Sequence, residues 1–382
     1  MRENRPYGSE GGEGVSPSRP LSEVGMEDGE LNDLVAVTAA LLQSLEALGV
    51  IARYLNPPDL AAVMQAIGAP EEALRGVRGR LEPWPERLAD VRASLESASD
   101  DALAAFDELR AALGARDGMR AVFRALRHAP RAHEALYPLA GGLAPVSRFY
   151  LDPASREDAD VRDRLERAGP SSDTGVMHYN NAPGARGGFS MYVPEDYAPG
   201  RAWPLVVALH GGSGNGRGFL WTWLPAARSR GAVLIAPTAL GETWALMGPD
   251  VDTPNLNRIL DEVRGRWNID PERLLLTGMS DGGTFTYVTG LEAASPFTHL
   301  APVSAAFHPM LAQMADEDRL RGLPIHIVHG ALDWMFEVSL ARQARKTLAA
   351  AGARVTYREI DDLSHCYPRE VNVPILDWLA AT

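Results

Sequence analysis

A chain of 382 residues is longer than one compact core usually needs, so at least two folded regions are expected. With 46% hydrophobic and 23% charged residues its composition is that of an ordinary globular protein, which excludes a wholly disordered or fibrous chain. A formal net charge of −13 gives a surface that repels phosphate backbones and anionic headgroups, which argues against nucleic acid or a membrane surface as a partner.

Residues 1–30 are rich in Gly, Ser, Glu and Pro and almost free of large apolar side chains, the composition of a disordered tail. The start, Met1-Arg2-Glu3-Asn4-Arg5-Pro6, lacks the apolar run of a secretory signal. No uninterrupted apolar stretch reads as a membrane span, so the expected location is cytoplasmic. From Leu31 the pattern changes: Leu34, Leu41, Leu45 and Leu48 share one helical face. Asn56-Pro57-Pro58 ends that helix, and Asp59 stands where it can cap the next. Ala69-Pro70 and Pro83-Trp84-Pro85 are further breaks, residues 86–114 form a long amphipathic pattern closed by Gly114, and another helix covers 118–128. Residues 31–140 therefore read as an all-helical N-terminal domain without clustered catalytic residue types. Its apolar stripes must be buried in a core of their own, against the rest of the chain, or across a homo-oligomer. Residues 141–175 read as a linker.

From 176 to 382 the texture is different. An early strand lies within Gly188–Pro194, and apolar runs at Leu205–Leu209, Ala232–Ala236, Arg273–Thr277 and Ile325–Val328 are those of strands buried on both faces. Helical patterns at Asn255–Trp267 and Val338–Ala351 separate them, and Arg354–Ile360 reads as a last strand. Strands alternating with helices predict an α/β domain with a mostly parallel sheet and right-handed crossovers.

Chemistry enters at the end of the strand Arg273–Thr277, which runs straight into Gly278-Met279-Ser280-Asp281-Gly282-Gly283. G-x-S-x-G between a buried strand and a helix puts the serine on a sharp turn above the carboxyl end of the sheet. A serine hydroxyl needs a base, and the base needs a carboxylate to hold its tautomer. Asp333 follows the strand Ile325–Val328, and His365 follows Arg354–Ile360, so Ser280, Asp333 and His365 each lie just past a strand and in the chain order this chemistry uses. Asp361 and Asp362 precede the histidine too closely to approach it from the opposite side. His326 and His329 point to opposite faces of one strand and cannot chelate one metal. His210 precedes a glycine pair and reads as structural, while His299 and His308 lack a strand-end setting. Cys366, the only cysteine, excludes an intramolecular disulfide and directly follows the histidine, a poor place for a nucleophile. For a developing oxyanion, Gly212 and then Ser213 in the turn after Leu205–Leu209, together with Asp281 after the serine, are the candidate N–H donors. Gly211 and Gly216 have phosphate-loop spacing, but Arg217-Gly218 stands where Lys-Ser/Thr belongs, which argues against a nucleotide. No metal or other cofactor set is read.

With these motifs in place, residues 176–382 resemble the α/β-hydrolase superfamily. They are most similar to its bacterial phospholipase/carboxylesterase group and its feruloyl-esterase and polyhydroxybutyrate-depolymerase-like group. The segments that carry the resemblance are Leu209-His210-Gly211-Gly212, Asn268-Ile269-Asp270-Pro271-Glu272-Arg273, the Ser280 hexapeptide, His329-Gly330-Ala331-Leu332-Asp333 and Ser364-His365. The resemblance implies an α/β-hydrolase fold, with Ser280 as nucleophile, Asp333 as acid and His365 as base. It also implies cleavage of a small-molecule acyl ester, with a peptidase or thioesterase on the same triad as the alternative. A non-catalytic interaction protein on a hydrolase fold is a third reading, opposed by the complete triad. Trp334, directly after the proposed acid, and Trp244 are the expected walls of the substrate pocket, with Trp221 and Trp223 as further candidates. The helical N-terminal region is not part of the basic fold, and no large cap insertion is evident. Exported members usually carry a signal peptide, so its absence here implies an intracellular substrate.

Overall fold

The structure, a computed structural model, describes residues 13–14, 25–113, 118–169 and 171–381. Its centre is a nine-stranded sheet in the order β1-β2-β3-β5-β4-β6-β7-β8-β9. The strands are β1 (Glu13–Gly14), β2 (Gly175–Tyr179), β3 (Phe189–Val193), β4 (Trp203–Leu209), β5 (Val233–Pro237), β6 (Ile269–Met279), β7 (His299–Val303), β8 (Pro324–Gly330) and β9 (Arg354–Ile360). Pairing is antiparallel from β1 through β3 to β5 and parallel from β5 through β4 to β9. The α/β-hydrolase architecture expected from the sequence is the one observed. β7 carries no expectation from the sequence, because His299-Leu-Ala-Pro-Val303 is short and holds a proline instead of a β-branched run. β2 likewise carries no expectation from the sequence.

The period of two along each strand sorts its residues between two cores. On β4, Val206 and Ala208 face one side while Leu205, Val207 and Leu209 face the other. On β5 the split is Leu234 and Ala236 against Val233 and Ile235. One side is covered by α10 (Asp252–Arg266), α11 (Asp281–Gly290) and α14 (Val338–Ala350), with the short α12 (Met310–Met314) and α13 (Glu317–Leu320) between β7 and β8. The other is covered by α9 (Gly216–Arg230) and α15 (Asn372–Ala381).

Above α9 lies a further layer built from α1 (Asp28–Arg53), α2 (Leu60–Ile67), α3 (Pro70–Arg78), α4 (Ala89–Ala112), α5 (Gly118–Ala125), α6 (His128–Leu136), α7 (Ala144–Phe149) and α8 (Ala159–Arg167). Leu34, Leu41, Leu45 and Leu48 are buried there, in one hydrophobic cluster that continues through Trp221 and Trp223 of α9 to the sheet. The stripe that made this region a candidate oligomer surface is thus covered within the chain. The helical region is not a separate core but an outer layer of the same one.

Three expectations change. Residues 141–175 are not a plain linker, since α7, a 3-10 turn at Pro153–Ser155 and α8 fill most of it. Short elements opened by Pro and Asp caps leave little periodicity to read. Contrary to the reading that no stretch can span a bilayer, α1 is long and apolar enough to do so by length and composition. Here its apolar side is spent on packing, with Val37, Leu41 and Ile51 at 0% exposure. The tail expectation covers residues mostly outside those described, and α1 already begins at Asp28. Gly114 also lies outside the described residues.

Part-buried polar contacts pin the outer layer to the domain. Arg228 of α9 donates to Glu195 at 2.8 Å and to the Ser147 carbonyl of α7 at 2.7 Å. Tyr137 and Tyr192 also donate to Glu195, at 3.0 and 2.5 Å. Burial alone would raise the Glu195 carboxyl, but Arg228 and Tyr192 hold it below the usual range. Glu134 of α6 pairs with Arg217 at the start of α9.

Candidate active site

β6 ends at Met279 and α11 begins at Asp281, so Ser280 makes the whole turn, with φ 55° and ψ −120°. A left-handed φ on a residue with a Cβ is strained by about 1–3 kcal/mol, and fixed neighbours must hold it. The Ser280 N–H donates to the Val303 carbonyl at 3.0 Å, and the Ser280 carbonyl accepts from Thr284 N–H at 2.8 Å. The flanking glycines are steric necessities. A Cβ on Gly278 would stand 2.4 Å from the Gly282 carbonyl oxygen, and one on Gly282 would stand 2.5 Å from the carbonyl oxygens of Leu209 and His210. Strand, turn and helix therefore close tightly, and the Ser280 Oγ is presented at the N-terminus of α11.

Asp333 leaves β8 and His365 leaves β9 on loops that touch each other. Leu332 N–H donates to the Leu363 carbonyl at 3.0 Å, and a Cβ on Gly330 would lie 2.1 Å from that same oxygen. His365 Nδ1 is 2.9 Å from Asp333 Oδ2, and Nε2 is 2.9 Å from Ser280 Oγ. Asp333 Oδ1 also accepts the N–H groups of Met335 and Phe336, at 3.0 and 2.8 Å. Burial pushes the Asp333 carboxyl up, but the His365 hydrogen bond and the Phe336 N–H outweigh it and leave its pKa below the usual range. An ionised Asp333 requires the proton on Nδ1, which leaves Nε2 as acceptor for the serine hydroxyl. The His365 ring meets Phe336 edge-on at 5.3 Å between centroids and Trp334 at 6.3 Å.

Gly212 and Asp281 lie side by side: a Cβ on Gly212 would be 2.7 Å from Asp281 Oδ2. Asp281 is the first residue of α11, where N–H groups lack helical partners. No backbone hydrogen bond engages the N–H of Gly212 or Asp281 among the described residues. Ser213 differs. Its N–H donates to the Glu242 carbonyl at 3.0 Å, which removes it from the donor set.

Trp244 is also placed otherwise than its pocket role requires. It is 3% exposed, its indole N–H donates to the His210 carbonyl at 2.7 Å, and it stacks on Phe285 at 5.4 Å. It braces the glycine loop after β4 from the core, because a buried indole needs an acceptor and the loop supplies one. His210 is structural: Nδ1 meets the Gly211 carbonyl at 2.7 Å, and Nε2 accepts the Ala239 N–H at 3.1 Å. Burial lowers its pKa to about 4, so it is neutral. Trp221 and Trp223 are core residues of α9. Trp334, 48% exposed beside His365, alone of the four stands open at the site.

Several supporting residues carry no sequence motif. Thr243 donates to Asp281 Oδ2 at 2.6 Å, and Arg186 donates to the carbonyls of Gly214 and Glu242 at 2.8 and 3.1 Å. His329 Nε2 is 2.8 Å from the Phe336 carbonyl and 3.4 Å from Asp333 Oδ2. Burial lowers its pKa, which fits a neutral ring donating to Phe336 and fixing the Asp333 loop. A histidine four residues before Asp333 is the available sequence signal. Cys366 is buried with its thiol pushed up to about 12, chiefly by burial, and donates to the Leu55 carbonyl at 3.0 Å. It is no nucleophile. His299 begins β7 at the opposite end of the sheet, packed edge-on against Trp378.

Residues 251–380 match the family model described as phospholipase/carboxylesterase. The chain is 32% identical over 165 residues to a bifunctional acetylxylan esterase/xylanase, XynS20E, of Neocallimastix patriciarum, covering 41% of this chain and 23% of that one. It is 28% identical over 142 residues to a probable feruloyl esterase C of Aspergillus terreus, covering 35% and 50%. The chain thus spans half or less of the length of either curated relative. A crystal structure of a thermostable esterase superposes with a TM-score of 0.44 at 21% identity, covering 55% of this chain and 63% of that one. The region from β2 to α15 has the α/β-hydrolase fold, and within it residues 251–380 are similar to the phospholipase/carboxylesterase family.

Proposed function

We propose that the chain is a serine carboxylesterase acting through an acyl-enzyme on Ser280. The observation that carries this reading is the continuous relay from Asp333 through His365 to the Ser280 Oγ, both steps at 2.9 Å. As Oγ attacks the ester carbonyl carbon, its proton passes to His365 Nε2, and the oxyanion turns toward the N–H groups of Gly212 and Asp281. Collapse breaks the C–O bond, the departing alkoxide takes the proton from His365, and the alcohol leaves. Water then attacks the acyl-serine, gives its proton to His365, and collapse returns that proton to Ser280 with release of the acid. Asp333 stays ionised throughout and holds the imidazolium.

Support for the substrate class comes from where apolar surface is left open. In the hydrolase region the large hydrophobic residues that remain exposed are Leu240, Met247 and Val251 after β5, Met310 and Met314 after β7, and Leu332, Trp334 and Met335 after β8. β5 and β7 border β4 and β6, β8 lies beyond β7, and all three run parallel to β6 and release their chains at the same edge as Ser280. An apolar or aromatic group of the ester fits such a rim. The names of the two relatives, an acetylxylan esterase/xylanase and a feruloyl esterase, accord with a carboxylic ester.

A fluorophosphonate probe should label Ser280, and Ser280→Ala should abolish labelling and lower kcat by about 10³-fold or more with the fold intact. Labelling at a different serine would overturn the assignment. A panel of p-nitrophenyl esters, thioesters and aminoacyl amides separates the carboxylesterase from the thioesterase and peptidase alternatives.

A further inference from the structure

The loop between β9 and α15 carries His365, and in this chain it is held from behind by the outer helical layer. Three contacts converge on the C-terminal end of α1. Arg53 reaches Asp362 Oδ1 at 2.9 Å through one terminal nitrogen and Glu370 Oε1 at 2.6 Å through Nε. Two residues on, the Leu55 carbonyl accepts the thiol of Cys366 at 3.0 Å. Asp362 and Glu370 lie on either side of His365 in sequence, and Cys366 is its neighbour, so one guanidinium spans the loop while the carbonyl pins its middle. The Arg53 side chain is only 14% exposed, against 58% and 42% for its two acids. The fixed end of the brace is therefore on the helix. A planar guanidinium serves two carboxylates at once in fixed directions, whereas the three donors of an ammonium rotate on a flexible stem. The cation also stands at the negative end of the α1 dipole.

We infer that Arg53, with the Leu55 carbonyl, is a positioning element for the catalytic base: the outer layer sets the height and rotation of the His365 loop, keeping Nε2 within reach of Ser280. This rests on the reading of His365 as the base of Ser280. Partly exposed ion pairs add little to stability. A displacement of about 1 Å in a reacting group, by contrast, costs on the order of 10²-fold in rate. The loss on breaking the brace should therefore fall on turnover.

The test compares Arg53→Gln and Arg53→Lys with Arg156→Gln in the full chain. Arg156 makes another ion pair with α1, to Glu46 at 2.8 Å, and among the described residues it has no hydrogen bond or ion pair with the His365 loop. Arg53→Gln should lower kcat about 10-fold with KM within about twofold and a melting midpoint like that of Arg156→Gln. Arg53→Lys should recover part of the loss, and Arg156→Gln should keep wild-type kcat. In a His365→Ala background, Arg53→Gln should add no further loss, because it acts through that ring. Wild-type kcat in Arg53→Gln, or losses that multiply in the double variant, would overturn the inference. If wild type shows neither ester hydrolysis nor probe labelling at Ser280, the reading of the site fails instead. The brace is then judged by nitrogen-15 histidine NMR: the His365 ring signals should move in Arg53→Gln and not in Arg156→Gln, and unmoved signals in both would reject it.

Discussion

The two faces of the sheet are covered to different depths, and their helices show it. α14 buries only Ala341, Ala344 and Leu348, a narrow stripe at helical spacing, and turns Arg342, Arg345 and Lys346 away from the core. α9 buries Leu220, Trp221, Trp223, Leu224, Ala226 and Ala227, which lie around most of its circumference. A helix apolar on one stripe has one neighbour, and a helix apolar all round needs a second layer above it. Here that layer is the N-terminal helical region, so what resembles an appended domain is a cover for α9. The same contrast explains where the buried Arg228 pairs: it lies on the outward side of α9 and meets Ser147 of α7.

The most severe way to break this comparison is to remove the cover. A chain beginning at Ser171 should expose Trp221 and much of the outer face of α9, and should aggregate or lose its cooperative thermal transition by circular dichroism. A soluble monomer with a sharp melt would mean that α9 needs no outer layer.

A smaller effect separates the faces by pH. His133 of the outer layer is fully enclosed, stacked at 5.7 Å on Phe149 and 5.9 Å on Trp221, and burial lowers its pKa to about 3. In the unfolded chain the ring titrates near the ordinary imidazole value of 6.5. Between those values the unfolded state binds a proton that the folded state refuses, so stability falls as pH drops through that window. His133→Phe should therefore flatten the fall of the urea midpoint between neutral and acid pH. His299 and His326, both lowered to about 4 by burial against Trp378, should keep part of the slope. An unchanged slope in His133→Phe would place the acid sensitivity elsewhere.

On the thin side the expected effect is slight. Arg342 of α14 pairs with Glu359 of β9 at 2.5 Å in the open, where solvent and salt screen the attraction. Arg342→Ala should melt indistinguishably from wild type in high salt, and a clear loss there would show that α14 depends on more than its inner stripe.

Much of this was legible in the sequence. The apolar runs of β4, β5, β6 and β8 announce strands buried on both faces, and G-x-S-x-G after β6 announces a tight turn whose glycines cannot be replaced. Three motifs each just beyond a strand could be ordered along the chain without any coordinates. Trp244 and Ser213 were not legible in the same way. A tryptophan near a glycine loop reads equally as wall or brace until the acceptor of its N–H is known, and whether a backbone N–H is free depends on a carbonyl far along the chain. The helical region gave its stripes but not what covers them.

The sequence by itself determined the local elements, the alternation of the sheet and the residue types able to do acyl chemistry, because periodicity and turn sterics are written over a few residues. Tertiary structure alone decided that Asp333, His365 and Ser280 meet within hydrogen-bond reach, that Trp244 lies inside and Trp334 outside, and that α1 ends against the His365 loop. Those are contacts between residues tens to hundreds of positions apart, set by how the two faces of one sheet are packed.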